Sequence, residues 1–98
     1  MSFDTTVACC GRDVFTDRTW KEIASSLQLS NREFEIVQGV FDDHKELSIA
    51  SLAGISPHTV NTYFQRLYRK LEVRSRPQLI LRVVAEYMVL KDTERVSP

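Results

Sequence analysis

The chain contains few of the residues that form cross-links or interrupt helices: two cysteines, three glycines and three prolines among 98 residues. No stretch approaches the roughly 18 apolar residues of a membrane span, and the first residues lack the charged-then-apolar order of a signal peptide. We therefore expect neither a membrane-spanning protein nor a secreted one held by disulfides. With 43% hydrophobic and 27% charged residues, the sequence predicts one small globular domain in the cytoplasm.

The two cysteines, Cys9 and Cys10, are adjacent, and neighbours in sequence seldom reach disulfide geometry. They could form a redox or metal site, but there is no second cysteine pair, and the two histidines, His44 and His58, stand far apart. We interpret the pair as two small thiols in a loose N-terminal arm and expect no metal or cofactor. Because no spacing assembles a nucleophile, a base and an orienting group, we do not expect an enzyme.

The charges balance overall but are unevenly distributed. Thirteen basic and thirteen acidic side chains give a net charge of zero. Residues 56–82 hold six cations against one carboxylate, a net charge of +5, whereas residues 1–55 carry −4 and residues 83–98 carry −1. A one-sided basic surface attracts polyanions even when the whole molecule is neutral. The competing interpretation is a solvated helix face on which cations cluster by chance.

Three segments begin with the same signal for a helix start, a Ser or Thr that can cap the helix and an apolar residue just ahead of it. The capping residues are Thr16, Ser30 and Ser56. Ahead of the first helix, Phe15 can pack against Trp20. In the second, Glu33 completes a capping box, and in the third, Pro57 occupies the favoured first position.

Two further helices complete the prediction. The stretch 43–46, Asp-His-Lys-Glu, fits a capping box and predicts a short helix to about Ala53, which Gly54 would end in a left-handed conformation. The stretch 75–78, Ser-Arg-Pro-Gln, predicts the start of a last helix over residues 76–90. Since no stretch alternates as a β-strand does, the sequence predicts an all-α fold.

Residues 46–71 combine a short helix, a tight turn and a longer helix. Gly54 permits the sharp turn, and Ala50 is small enough for the two helices to cross closely. This order of elements is typical of a helix-turn-helix that binds DNA, although a plain hairpin of two helices has the same spacing.

The longer helix, residues 57–71, has two distinct faces. Its core stripe consists of Val60, Phe64, Leu67 and Leu71. The opposite face carries side chains that can hydrogen-bond base edges in DNA: Asn61, Thr62 and Gln65. Contacts to the DNA backbone are expected from the helix start and from the basic residues of its later turns: His58, Thr59, Arg66, Arg69, Lys70 and Arg74. The uneven charge is thus explained by a DNA-binding face.

Five stretches follow one another at fixed intervals: LSNREFEIV at 29–37, IASLAGIS at 49–56, PHTV at 57–60, YRKL at 68–71 and VRSR at 73–76. From Leu29 to about Tyr87 the chain resembles the DNA-binding domain of the LuxR family of bacterial transcriptional regulators, also called the GerE type. The resemblance implies a four-helix bundle with a central helix-turn-helix, which is preceded here by an additional N-terminal helix.

Several residues depart from the family pattern. Asp43 stands where the family usually has Gly, Ala53 replaces a core Leu, and Gly39 lies inside a helix, where it should cost up to about 1 kcal/mol relative to Ala. Asn61 and Gln65 stand where basic residues are common. Fewer cations at the groove should weaken non-specific binding and make its salt dependence shallower, and we expect an altered target sequence.

By resemblance, the last helix is the dimer contact. The residues expected in the interface are Ile80, Val84, Tyr87 and Met88, which provide more apolar surface than one small core needs. The alternative is that they close the bundle against Trp20 and Leu27.

The implied organisation has three parts. Residues 1–28 form an N-terminal arm and the extra helix, residues 29–90 form the DNA-binding domain, and residues 91–98 form a polar tail. With so few residues ahead of the domain, the chain resembles family members that stand alone. The extra helix could cap the core, lengthen a dimer interface or contact RNA polymerase.

We therefore expect a sequence-specific transcriptional regulator that binds double-stranded DNA as a homodimer. The helix 57–71 would enter the major groove, the helix 76–90 would join the two copies, and no membrane is involved. The alternative is an interaction module or anti-activator that keeps the fold but binds protein, which the zero net charge and Asn61 support.

Overall fold

The computed structural model describes residues 11–96, with side chains through residue 92. A short 3-10 helix, Gly11–Val14, leads into five α-helices: α1 (Asp17–Ser26), α2 (Asn31–Phe41), α3 (Glu46–Ala53), α4 (Pro57–Leu71) and α5 (Arg76–Val96). Because these described residues contain no strand, the all-α prediction is confirmed. The interpretation of Cys9 and Cys10 lies outside the described residues.

The three capping predictions are confirmed by hydrogen bonds. Thr16 and Ser56 each accept a bond from the backbone N–H three residues ahead, at 3.2 and 3.1 Å. At the start of α2 the capping box is complete: the Glu33 N–H donates to Ser30 Oγ at 3.2 Å, and the Ser30 N–H donates to Glu33 Oε1 at 2.9 Å. Each bond satisfies an N–H that the first helical turn would leave without a partner.

The predicted capping box at the start of α3 is wrong. The N-cap residue is Lys45, which makes no side-chain hydrogen bond to the helix. Asp43 instead has a φ of 60°, and its N–H donates to the Val40 carbonyl at 3.0 Å to close the end of α2. Because the turn after α2 requires a left-handed residue, Asp43 cannot adopt the extended backbone of an N-cap. The same φ explains why Gly suits this position.

The last helix is longer than predicted. It was expected to end near Leu90, but α5 continues to Val96, so most of the predicted polar tail is helical. Residues 91–96 contain no Gly or Pro, and several of them are good helix formers. At the start of α5, Ser75 Oγ accepts the Gln78 N–H at 3.3 Å, as predicted.

One hydrophobic core joins the helices. Its buried apolar residues are Phe15, Trp20, Ile23, Leu27, Ile36, Val37, Val40, Ile49, Ala50, Val60, Phe64, Leu67, Leu71, Leu79 and Val83. The Phe15 ring meets the Trp20 ring edge to face at 5.1 Å, as predicted, and Trp20 Nε1 donates to the Arg12 carbonyl at 2.6 Å. Since α1 packs on α5 and contributes to this core, closing the core is one role that the extra helix fulfils.

The helices α2 and α3 approach each other closely at Gly39. A Cβ atom at this position would lie 2.9 Å from Cγ1 of Ile49, a buried side chain. The glycine that costs helix propensity in α2 therefore permits the spacing that brings α3 into place.

Candidate nucleic-acid interface

A tight turn joins α3 to α4. Gly54 ends α3 with a φ of 70°, as predicted, and its N–H is directed at the carbonyls of Ala50 and Ser51. The Ile55 N–H donates to the Ala50 carbonyl at 3.0 Å, and Ser56 then caps α4. Ile49 and Ala50 of α3 are buried, and α3 packs against α4. The arrangement is the helix-turn-helix that the sequence predicts.

The helix α4 separates its side chains into two faces. Its buried residues are Val60, Phe64, Leu67 and Leu71. The side chains expected to meet bases, Asn61, Thr62 and Gln65, are all exposed. The Thr62 hydroxyl donates to the His58 carbonyl at 3.2 Å, which leaves the oxygen lone pairs and the methyl group for an outside partner. His58 is exposed and Thr59 is half-buried at the start of the helix.

The Lys70 ammonium, which was expected to contact a DNA phosphate, forms hydrogen bonds within the protein. Its ammonium donates to Glu33 Oε1 at 2.7 Å and to the Gln28 carbonyl at 2.9 Å. Burial acts to raise the pKa of the Glu33 carboxyl, but bonds from Lys70 and from the Ser30 N–H hold that pKa below its ordinary value. This ion pair joins the end of α4 to the start of α2.

Two more cations of the basic stretch also have internal partners. Arg76 lies over the Phe64 ring, with Cζ 4.8 Å from the ring centroid, and donates to the His44 carbonyl at 2.6 Å. Arg82 pairs with Glu86 at 2.9 Å, and the Ser26 hydroxyl together with Arg82 holds the pKa of the Glu86 carboxyl below its ordinary value. Half of the six cations thus stabilise the fold.

The other three cations, Arg66, Arg69 and Arg74, are exposed. None of them forms an ion pair within the part of the chain that the structure describes. Arg66 lies over a neighbouring ring, with its Cζ 5.7 Å from the centroid of Tyr63. Arg66 and Arg69 project from the solvent side of α4, and Arg74 follows the end of the helix. The positive surface is therefore smaller than the sequence count indicates.

The residues expected at the dimer interface divide between two environments. Met88 is 59% exposed, whereas Ile80, Val84 and Tyr87 are half-buried and pack against the core. The alternative interpretation, in which these residues close the bundle, therefore applies to Ile80, Val84 and Tyr87. Leu81, which was not among the residues expected at the interface, is 67% exposed.

The outward face of α5 follows from helical phase. Leu81, Ala85 and Met88 recur at helical spacing and are exposed, on the side opposite the buried Leu79 and Val83. Leu81 lies about half a helical turn from Leu79 and Val83. If these two are taken as the core face of the helix, the sequence alone places Leu81 on the outward face.

Two other residues of the site were missed. Tyr63 is not among the predicted residues, although an aromatic residue one turn ahead of Arg66 is a signal for a contact between the two side chains. Arg32, which is also not among the predicted residues, donates from Nη1 to the Ala53 carbonyl at 2.5 Å, so α2 also holds the end of α3 next to the turn. No local sequence pattern indicates the contact between Arg32 and Ala53, because the two residues lie 21 positions apart in the chain.

Two other features are not found among the described residues, a metal-binding cluster and a membrane-spanning helix. Within 11–92, no three His, Cys, Asp or Glu side chains are grouped so that they could hold a metal ion. None of the described helices is long and apolar enough to cross a membrane.

The fold and the exposed polar face of α4 define a helix-turn-helix domain. Residues 27–83 match the family described as bacterial regulatory proteins, luxR family. This match covers more than half of the chain, so the chain belongs to that family, in which the helix-turn-helix domain binds DNA in transcription regulation. The resemblance noted in the sequence is thereby confirmed.

A curated relative is similar over the same region. The response regulator GacA of Pseudomonas aeruginosa is 41% identical over 61 residues, which are 62% of this chain and 28% of GacA. The chain thus spans less than a third of the length of this relative. No solved structure matches the chain.

Proposed function

We propose that the chain is a sequence-specific transcription regulator that inserts α4 into the major groove of double-stranded DNA. The observation that carries this proposal is the division of α4 into a buried apolar face and an exposed polar one. An α-helix fits the major groove, and Asn and Gln can each pair bidentately with adenine there. Asn61 and Gln65 would read bases in this way, and Thr62 would meet a base edge or a thymine methyl group.

Backbone contacts would hold α4 in register. Arg66, Arg69 and Arg74 are exposed cations without ion pairs among the described side chains, and a guanidinium can hold a phosphate with two hydrogen bonds. His58 and Thr59 lie at the start of α4, where the backbone amides favour an anion. Lys70 is left out of this set because its ammonium already has two acceptors within the protein.

The small number of free cations supports specific over non-specific binding. Each phosphate contact contributes about 0.9 to the slope of log affinity against log salt concentration. With three arginines in place of the six cations of the basic stretch, the electrostatic part of the affinity is modest. Base contacts would then supply much of the preference for the correct site.

We further propose that two copies bind together through α5. Leu81, Ala85 and Met88 form an exposed apolar stripe on this helix, and exposed apolar patches of this kind mark protein interfaces. A homodimer with two-fold symmetry would present two copies of α4 to a palindromic site.

The place of action follows from the proposed target. A regulator of bacterial DNA acts in the cytoplasm. RNA polymerase is a proposed partner of the exposed side of α1, where Arg18, Lys21, Glu22 and Ser25 face solvent.

Selection of binding sites from a random duplex library tests the proposal. We expect an enriched palindrome whose affinity exceeds that of random DNA at moderate salt. Affinities of the enriched duplex and a scrambled duplex should be measured at several salt concentrations. No enrichment, together with weak binding that salt abolishes, would contradict a sequence-specific regulator.

A second candidate is a protein-binding module or anti-activator with the same fold. It is favoured by the internal partners of Lys70, Arg76 and Arg82, which reduce the positive surface. Such a module would bind a DNA-binding relative through α5 and would not enrich any duplex. Enrichment that survives moderate salt would exclude it.

A further inference from the structure

We infer that Tyr63 is a positioning residue for DNA binding, because it holds Arg66 in the orientation that meets a backbone phosphate. The inference rests on the proposed role of α4 as the helix that enters the groove. It assigns a function to an aromatic side chain that would touch no base.

The geometry places the two side chains on one flank of α4. Arg66 Cζ lies 5.7 Å from the centroid of the Tyr63 ring, which is within the roughly 6 Å over which a ring attracts a cation. The residues are three positions apart, the spacing at which side chains of a helix are neighbours. Tyr63 is half-buried and packs against the core, whereas Arg66 is exposed.

A ring anchored in this way restricts the guanidinium. An exposed arginine without a neighbour samples many rotamers, and binding a phosphate must fix them, which reduces affinity. The half-buried Tyr63 ring provides a fixed surface beside Arg66. Because an arginine stacked on a ring uses the face of its guanidinium, its N–H groups remain available for phosphate oxygens.

The other arginines near this surface show why Arg66 is distinct. Arg76 also lies over a ring, but it donates to the His44 carbonyl at 2.6 Å, so its N–H groups serve the fold. Arg69 and Arg74 are exposed without a ring contact among the described aromatic contacts. Arg66 combines a position over a ring with N–H groups that make no hydrogen bond within the described part of the chain.

Four variants test the inference on a duplex obtained by site selection: Tyr63→Phe, Tyr63→Leu, Arg66→Ala and the double variant Tyr63→Leu/Arg66→Ala. Tyr63→Phe keeps the ring and should bind as the wild type does. Tyr63→Leu should weaken binding about two- to fivefold and make the salt slope shallower, toward that of Arg66→Ala. The double variant should bind no more weakly than Arg66→Ala alone, since the ring acts through the arginine.

Tyr68→Leu is the matched control. Tyr68 is a half-buried tyrosine of the same helix that packs on Phe64, and none of the described cations lies over its ring. We expect this substitution to leave the salt slope unchanged. Thermal unfolding of every variant establishes that the protein compared is folded.

Three results would overturn the inference. A loss in Tyr63→Phe would mean that the hydroxyl itself binds DNA. An equal loss from Tyr63→Leu in the presence and absence of Arg66 would mean that the ring acts independently of the arginine. An unchanged salt slope in Tyr63→Leu would mean a purely structural role. If Asn61→Ala and Arg69→Ala leave DNA binding unchanged in addition to one of these results, the proposed function fails together with the inference.

Discussion

The Lys70 ammonium near the end of α4 lies 2.7 Å from Oε1 of Glu33 at the start of α2. The same ammonium donates to the carbonyl of Gln28, two residues after the end of α1, at 2.9 Å. Glu33 is 6% exposed and also accepts the Ser30 N–H. Three helices are therefore held at one point, and the direction of α4 depends on an ion pair between the exposed Lys70 and the buried Glu33.

Replacing Lys70 by Met should destabilise the fold rather than weaken a phosphate contact. Methionine keeps an unbranched stem but leaves the buried Glu33 carboxylate without its charged partner, which should cost about 2 kcal/mol. The salt slope of DNA affinity should not change, because no phosphate contact is lost. Urea unfolding and DNA binding at several salt concentrations measure both effects.

Arg69→Met is the control for that variant. Arg69 is exposed and forms no ion pair among the described side chains, so its loss should change stability by less than about 0.5 kcal/mol. The salt slope should fall by about 0.9. If Lys70→Met lowered the slope by the same amount, Lys70 would be a phosphate contact after all.

Stability should fall in acid because of Glu33. Its pKa in the folded protein is below the ordinary value of 4.5, so the unfolded chain binds a proton more readily than the folded one does. The stabilisation is fully present above pH 4.5 and is lost as the pH falls through the lower pKa of the folded state. The free energy of unfolding, measured across this range, should decline with falling pH.

Glu33→Gln separates this carboxylate from the others. The variant should be less stable at neutral pH and should lose less stability in acid, since Gln has no proton to gain. Glu86, whose pKa is also lowered, should account for part of the remaining decline. Parallel pH profiles for the wild type and the variant would contradict a role for Glu33.

Gly39→Ala should destabilise the protein although Ala is the better helix former. Propensity alone would favour Ala by about 1 kcal/mol. The new Cβ would lie 2.9 Å from Cγ1 of the buried Ile49, and such overpacking costs about 1 to 3 kcal/mol. We expect a net loss, measured by urea unfolding, and a matching loss of DNA affinity if α3 moves away from α2.

The effect of Gly39→Ala should depend on Ile49. In an Ile49→Ala background the clashing atoms are gone, so Gly39→Ala should become neutral or stabilising. A loss of the same size in both backgrounds would mean that the clash with Ile49 is not the cause.

Much of the fold follows from local sequence signals. The caps at Thr16, Ser30 and Ser56 depend on residues three positions apart, and the glycine at 54 has a conformation that few other residues adopt, so these features were predicted correctly. The α3 start was mispredicted because Asp43 satisfies two local patterns, an N-cap and a left-handed turn, and only the path of the chain after α2 decides between them.

The parts of the site that could not be predicted depend on contacts between distant residues. Lys70 looks like one more cation at the end of α4, and only the position of Glu33, 37 residues earlier, gives it an ion-pair partner within the protein. The same holds for Arg76, whose partner lies 32 residues away. Charge counts along the sequence therefore overestimate the surface that is free to meet DNA.

Asn61→Ala and Gln65→Ala should each relax base preference at one position of the selected site. Both side chains are exposed on α4, and losing a bidentate contact should reduce discrimination there by about 1 to 3 kcal/mol. Affinities for a set of singly substituted duplexes measure this directly. Uniform weakening on every duplex would instead identify these residues as phosphate contacts.

Leu81→Glu should separate the proposed dimer without unfolding the protomer. Leu81 is 67% exposed, so the substitution should change protomer stability by less than about 0.5 kcal/mol. In a dimer through α5, however, the carboxylate would be buried in an apolar interface, which should weaken association more than about tenfold. Leu52→Glu, on α3, places the same charge at a similarly exposed leucine and should leave the association state unchanged in sedimentation experiments.

Because a palindromic duplex binds a preformed pair more tightly than two separate copies, Leu81→Glu should also lower affinity for the full site while leaving affinity for a half-site unchanged. Equal association of the wild type and Leu81→Glu would mean that two copies meet through another surface.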